Sequence, residues 1–189
     1  MEELVKFLFE VGHLKNVQRS GWWLIGNRKP ESVAEHSFRC AVLGYFLAKS
    51  ENLDTSKVIL MCLFHDLHES RTNDLHKIAQ RYLNLKEGEN KVSQDQIFSL
   101  ENSERDEIGS ILKEFSDQET KESAVAKDAD ILECALQARE YQVQQGFTDA
   151  ESWLKNGQGT LKSESAKRLL ALIEDSDPNE WWKNLKEKT

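Results

Sequence analysis

Only two prolines and nine glycines interrupt the 189 residues of this chain. Proline removes a backbone donor and clashes with the preceding turn, and glycine is a poor helix former. A chain almost free of both favours long helices over many short strands joined by turns. Hydrophobic spacing agrees. In ESVAEHSFRCAVLGYFLAKS (31–50), Val33, Phe38, Ala41, Val42 and Tyr45 recur at helical intervals, and Ser32 with Glu35 forms a capping box. Asp54 or Thr55 opens the next helix, whose run VILMCLF (58–64) is apolar on all sides and therefore central to a core. Further helices are expected over about 75–83, 92–101, 104–116 and 119–145. Two shorter ones close the chain, the last opening with Asp177 as cap and Pro178 at its first position. The stretch GWWLIGN (21–27) reads as a loop or small hairpin, and the Ser-, Glu- and Lys-rich 84–96 as a mobile loop. The expectation is one all-α domain over 1–189, a helical bundle with its core over about 10–145 and C-terminal helices over about 148–188.

At this length roughly 70% of the unfolded surface is buried on folding, enough for a core without staples. Cys40, Cys62 and Cys134 are too few and too scattered for a disulfide framework or a thiolate zinc cluster, and read as buried reduced thiols. No apolar run reaches the ~18 residues of a membrane span, and MEELVKFLFE is not a signal peptide, so a soluble cytoplasmic protein with no membrane partner is expected. A net charge of −8 argues against a broad nucleic-acid footprint. Residues 1–50 nevertheless carry seven Lys/Arg against five Asp/Glu, which leaves the remainder at −10. A small anionic ligand would be met in this first third or by a bound metal.

The stretch LFHDLHES (63–70) carries the chemistry. His65 and Asp66 end an apolar helix, where burial costs several kcal/mol unless the groups pair or coordinate something. One reading is a buried pair that only braces helices. The other is a divalent metal, for which imidazole nitrogen and carboxylate oxygen are ordinary ligands. His36, in VAEHSF, and Asp130, in AKDADILECAL (126–136), can complete the shell. On the second of these helices Ala126, Ile131, Cys134 and Ala135 form the buried face; Asp130 adjoins it and Asp128 points more toward solvent. Four such residues lie on three separate helices.

This H…HD…D pattern resembles the HD-domain metal-dependent phosphohydrolases, here as His36, His65-Asp66 and Asp130. Four blocks resemble one branch, the 5′-deoxynucleotidases: Arg19-Ser-Gly-Trp22; Glu31-Ser-Val-Ala-Glu35-His36; His65-Asp66-Leu-His-Glu69 with Asp74-Leu75; and Lys127-Asp-Ala-Asp130. The resemblance implies hydrolysis of nucleoside 5′-monophosphates to nucleoside and phosphate, and a homodimer. It implies one divalent ion of the Co, Mn, Zn or Ni type held by His36, His65, Asp66 and Asp130.

Glu69 and Asp74 are the candidate catalytic acids. Glu69 lies four residues after His65 and three after Asp66, on the same helical face, where it can transfer a proton without holding the ion. Asp74, past the helix end, can reach back to the site or cap a helix from Leu75. Arg19 and Trp22 are the candidate substrate contacts. Guanidinium pairs with two phosphate oxygens, while Trp22, like Trp23, can stack on a base, close the pocket or pack on the core. An aromatic wall near C2′ predicts preference for the 2′-deoxy sugar. His68, His76 and His13 fit no ligand pattern, and H-D-L-H-E is not a zinc-protease motif. Surplus apolar surface at Leu169, Leu170, Leu172, Ile173, Trp181 and Trp182 agrees with a homodimer. The rivals are another HD-type enzyme, acting on a nucleoside triphosphate, cyclic nucleotide or guanosine tetraphosphate, and a helical binding module without catalysis.

Overall fold

The computed structural model describes residues 1–186, apart from the Asn184 side chain. Eleven α-helices are formed among them: α1 Glu2–His13, α2 Val33–Glu51, α3 Thr55–Phe64, α4 Glu69–Thr72, α5 Lys77–Gln80, α6 Leu85–Ile97, α7 Asn102–Asp117, α8 Lys121–Gln145, α9 Glu151–Gln158, α10 Glu164–Asp175 and α11 Glu180–Lys186. The only β pairing among the described residues is an isolated bridge between Gln18 and Ser32.

Three helices make the centre. The α2 capping box is present: the Ser32 hydroxyl accepts from the Glu35 amide, and the Glu35 carboxylate accepts from the Ser32 amide. Asp54 caps α3 by accepting from the Lys57 amide at 3.1 Å. Thr120 and Ser123 form a second capping box on α8, a helix roughly 37 Å long that ends on Gly146 in the left-handed region. The fully buried Ala126, Ala129, Ala135 and Ala138 let α8 lie close against its neighbours. Gly44 does the same where α2 crosses α3, since a Cβ there would meet Cys62 Sγ at 2.7 Å and Val58 Cγ1 at 3.1 Å. The α3 residues Val58, Met61 and Cys62 are completely buried, whereas Leu63 is half exposed.

Several boundaries differ from expectation. GWWLIGN is neither strand nor open loop: Ser20–Ile25 is a 3-10 helix closed by Gly26 at φ 83°. The 84–96 segment is the body of α6, not a mobile loop. Its end is pinned because Gln96 Nε2 donates to the Leu67 carbonyl, Ser70 Oγ and Glu10 Oε1. Over 75–83 only Lys77–Gln80 is helical, and His76 caps it by accepting from the Ala79 amide. Three helices, not two, close the chain. The last begins at Glu180 because Asp177 turns its side chain onto the Asn179 amide and Pro178 sits in that turn. The first helix, α1, had no counterpart in the sequence reading.

Asp128 is the main correction on α8. It does not face solvent but is 1% exposed, accepting from the Lys162 amide at 2.9 Å, the Ser163 amide at 2.7 Å and the Ser163 hydroxyl at 2.7 Å. One carboxylate thus fastens the α9–α10 turn onto α8, and an amide side chain has one oxygen where three donors converge. Asp128→Asn is therefore expected to cost about 2 kcal/mol, about 4–8 °C in Tm for a chain of this size. Activity per folded molecule should stay intact. A wild-type melting curve would refute this anchoring role.

Candidate metal centre and active site

The α2 capping box sets His36 one turn into its helix, and α8 supplies Asp130 near the middle of the bundle. His65 is the residue on which α3 ends. The following turn stays tightly wound, with the Glu69 amide bonded to the Asp66 carbonyl at 3.0 Å, so Asp66 and Glu69 are delivered to the same side. Asp130 Oδ1 lies 3.2 Å from His36 Nε2 and 3.9 Å from His65 Nε2. Asp66 Oδ2 lies 3.2 Å from His65 Nε2 and 3.8 Å from His36 Nε2. Two imidazole nitrogens and two carboxylate oxygens converge on one point.

Hydrogen bonding orients the rings. His65 Nδ1 faces the Cys62 carbonyl at 3.0 Å; a carbonyl only accepts, so Nδ1 carries the proton. His36 Nδ1 faces the buried Glu133 carboxylate, which is likewise an acceptor. Burial raises the Glu133 carboxyl, but His36 and Arg39 outweigh it and hold it below the usual range. Each ring is left presenting Nε2. Both Nε2 atoms are buried with no hydrogen-bond partner; burial and Arg19 press the His36 imidazole down, but with no ion bound Glu133 and Asp130 hold it well above its ordinary value, and a divalent cation would take the place of that proton.

The carboxylates are kept ionised against burial. Asp66 is held far below its ordinary value by His65 and by Arg19, whose Nη1 is 3.3 Å from Asp66 Oδ2. Asp130 is held down by Lys127, whose ammonium is 2.6 Å from Oδ2, and by His36. Glu69 behaves oppositely. It is 7% exposed, its Oε2 has no partner, and burial beside Asp66 and Asp74 pushes its carboxyl well above the usual range.

Two other donor groupings touch His36 through thiols: Cys40 with His65, and Cys134 with Asp130. Burial pushes the Cys40 thiol well up and the Cys134 thiol up to about 11, and Cys134 Sγ already faces Arg19 Nη2 at 3.1 Å. Glu31, raised to about 7 by burial and by Glu133, belongs with Glu133 to the far side of the His36 ring. The arrangement that fits a divalent ion is the two-nitrogen, two-oxygen set.

Arg19 stands over this point, with Nη2 also 3.1 Å from Cys134 Sγ and Nη1 4.0 Å from Asp74 Oδ1. Asp74 does not cap the following helix, which starts at Lys77 under His76. Its carboxylate accepts from the Ser20 amide, while the Ser20 hydroxyl accepts from the His76 amide at 3.0 Å, which ties the Arg19 loop to the segment after α4. Trp22 does not face the site. It is 2% exposed, stacked on Trp153 at 4.8 Å and edge-on to Tyr141 at 5.1 Å, with Nε1 donating to Glu31. The wide indole fills the space between α8 and the C-terminal helices, and its neighbour Trp23 is the exposed one. Trp23 lines an open cavity of about 450 Å³ together with Ser20, Asp74, Gln18, Asn16 and His76. His68 turns toward Glu89, 3.7 Å away.

Sequence reasoning missed Glu133 and Arg39, and gave Glu31 no role beyond its place in the Glu31–His36 block. Glu133 follows Asp130 by three residues, a same-face spacing that marks it in retrospect.

The family model described as an HD domain matches residues 11–172. A Dictyostelium discoideum protein named 5′-deoxynucleotidase HDDC2 is 34% identical over 158 residues, covering 76% of this chain and 80% of its own. The human protein of that name is 31% identical over 140 residues, covering 74% of this chain and 68% of its own. Among solved structures, a conserved hypothetical protein from Pyrococcus furiosus is similar at a TM-score of 0.75 and 28% identity, covering 91% of this chain and 99% of its own. Agreement over this much of the chain, in sequence and in helical architecture, means that it belongs to the HD-domain family, in the branch of the 5′-deoxynucleotidases.

Proposed function

We propose that this protein hydrolyses deoxyribonucleoside 5′-monophosphates to nucleoside and phosphate, with a divalent ion held by His36, His65, Asp66 and Asp130. The observation that carries this is the pair of buried, unpartnered Nε2 atoms beside two ionised carboxylates. An ion bound there supplies Lewis-acid polarisation of phosphoryl oxygen and acidifies water at neutral pH. The ligand set suits cobalt, manganese, zinc or nickel alike.

The chain's own groups do the rest. Arg19 donates to the phosphoryl oxygens, where negative charge grows during transfer. Asp74 keeps the Arg19 loop in place through the Ser20 amide. Glu69, whose carboxyl is pushed up by burial beside Asp66 and Asp74, is placed to protonate the departing 5′-oxygen. Among the described residues, Arg19 and Lys127 are the cations beside this centre, each already paired with a carboxylate, which favours a monophosphate over a triphosphate or guanosine tetraphosphate. A binding module without catalysis has no use for a buried, unpartnered Glu69.

The cavity beside Ser20 and Asp74 takes the nucleoside, with Trp23 as its aromatic wall in place of Trp22. One domain carries the whole reading, and three free thiols support a reducing, cytoplasmic setting. The partner is a second copy of the chain. Leu170 and Ile173 are used up inside the fold, Leu172, Trp181 and Trp182 stay exposed, and Phe38, Val42, Tyr45 and Phe46 leave an exposed apolar stripe along α2.

Three measurements test this. Phosphate release from a panel of 5′-monophosphates should depend on added divalent metal and stop with a chelator. It should favour deoxy over ribo sugars by up to ~10²-fold with little base discrimination. Trp23→Ala should narrow that ratio, whereas Trp22→Ala should lower Tm; equal cleavage of ribonucleotides by the unmodified protein contradicts the sugar wall. Glu69→Gln should retain the metal and lose about 10²–10⁴ in kcat; loss of the metal would instead make Glu69 a ligand. Light scattering should give a dimer mass that falls in Phe46→Glu, and a monomeric wild type would overturn the pairing.

A further inference from the structure

On the seam between α2 and α8, a line of polar groups runs from the candidate metal centre to the surface. His36 and Arg39 are three residues apart on α2, and Glu133, Gln137 and Glu140 follow Asp130 along one face of α8. The Glu133 carboxylate is 0% exposed and is divided between two partners. Its Oε2 meets His36 Nδ1, and its Oε1 accepts from Arg39 Nε at 2.9 Å and lies 2.8 Å from Arg39 Nη2. Arg39 is itself clamped, with Nη1 donating to Glu140 at 2.8 Å and Nη2 to Gln137 at 2.7 Å.

We propose that Glu133, anchored by Arg39, is a positioning residue that locks His36 as the Nδ1–H tautomer and keeps Nε2 turned to the metal point. Three features set this apart from a simple brace between helices. A brace needs only Arg39 with Glu140 and Gln137, which already join α2 to α8 nearer the surface. Burying a carboxylate completely is expensive, and here both oxygens are spent, one on the ring and one on the guanidinium. His65 obtains the same orientation from a backbone carbonyl, but His36, in the interior of a regular helix, has no free carbonyl to use and depends on a side chain. A negative partner also makes the imidazole a stronger donor to a cation.

The inference rests on the metal reading above and is tested by metal binding alone. Co²⁺ is titrated into the metal-free protein, and affinity is measured by competition with a chromophoric chelator. Glu133→Gln keeps the size of the side chain but lets its amide donate to Nδ1, which favours the wrong tautomer. It should weaken Co²⁺ binding by about 10–100-fold with the helical content unchanged. Arg39→Gln, at a partly exposed position about a helical turn from His36, should weaken it in the same direction by several fold. In the zinc-loaded, ¹⁵N-labelled protein, His36 Nδ1 should carry the proton. Wild-type Co²⁺ affinity in either variant, or an unprotonated His36 Nδ1, overturns the role of Glu133 alone. An unmodified protein that binds no Co²⁺ overturns the metal reading with it.

Discussion

Two imidazole nitrogens deep in the bundle have nothing to bond to except each other's carboxylate neighbours, and the rest of the structure is arranged to keep them so. Placing His36, His65, Asp66 and Asp130 in the interior removes several charges from water, which costs several kcal/mol per ion without compensation. The chain compensates outward from the centre: Lys127 on Asp130, Arg19 on Asp66, Glu133 on His36 and the Cys62 carbonyl on His65. Lys127, Glu133 and the Cys62 carbonyl take the outward atom of their partner and leave the inward one free, while Arg19 pairs with Asp66 Oδ2, the oxygen that itself faces the two imidazoles. Such an arrangement exists only if α2, α3 and α8 approach closely, and Gly44 and the alanine face of α8 permit that approach.

The acids around this point divide by environment. Asp66 and Asp130 have cations at hand and are held below the usual carboxylate range, whereas Glu69, at the start of α4, is buried against two carboxylates and its carboxyl is pushed up. Similar side chains within one small region are thus pushed in opposite directions by their neighbours. Asp74 and Asp128 extend the same logic to architecture, each using its carboxylate to bind backbone amides, one in the Arg19 loop and the other in the α9–α10 turn.

The helical class and the central elements were legible because their signals are local. A capping box at Ser32 and Glu35, a cap at Asp54 and an apolar run at 58–64 each act within a few residues, and α2 and α3 start where those signals lie. The convergence of His36, His65, Asp66 and Asp130 was suggested by their place on separate core helices. Signals that depend on distant partners were not legible. Asp128 sits on the side of α8 that solvent would wet if α9 and α10 did not fold back over it. Trp22 is buried by Trp153, which lies 131 residues further along the chain. The 84–96 segment has a mobile loop's composition but is held by Gln96 against Leu67, Ser70 and Glu10. Glu133 was overlooked because its worth lies in the ring it faces across the α2–α8 seam.

The central claim is that the ion sits between two imidazoles and two carboxylates although two thiols lie within reach of the same histidine. X-ray absorption on the zinc-loaded protein tests it directly, since sulfur scatters at about 2.3 Å and nitrogen or oxygen at about 2.0–2.2 Å. The account predicts a shell of nitrogen and oxygen only, with the multiple-scattering signature of two imidazoles. A sulfur shell would place Cys40 or Cys134 on the metal and contradict it.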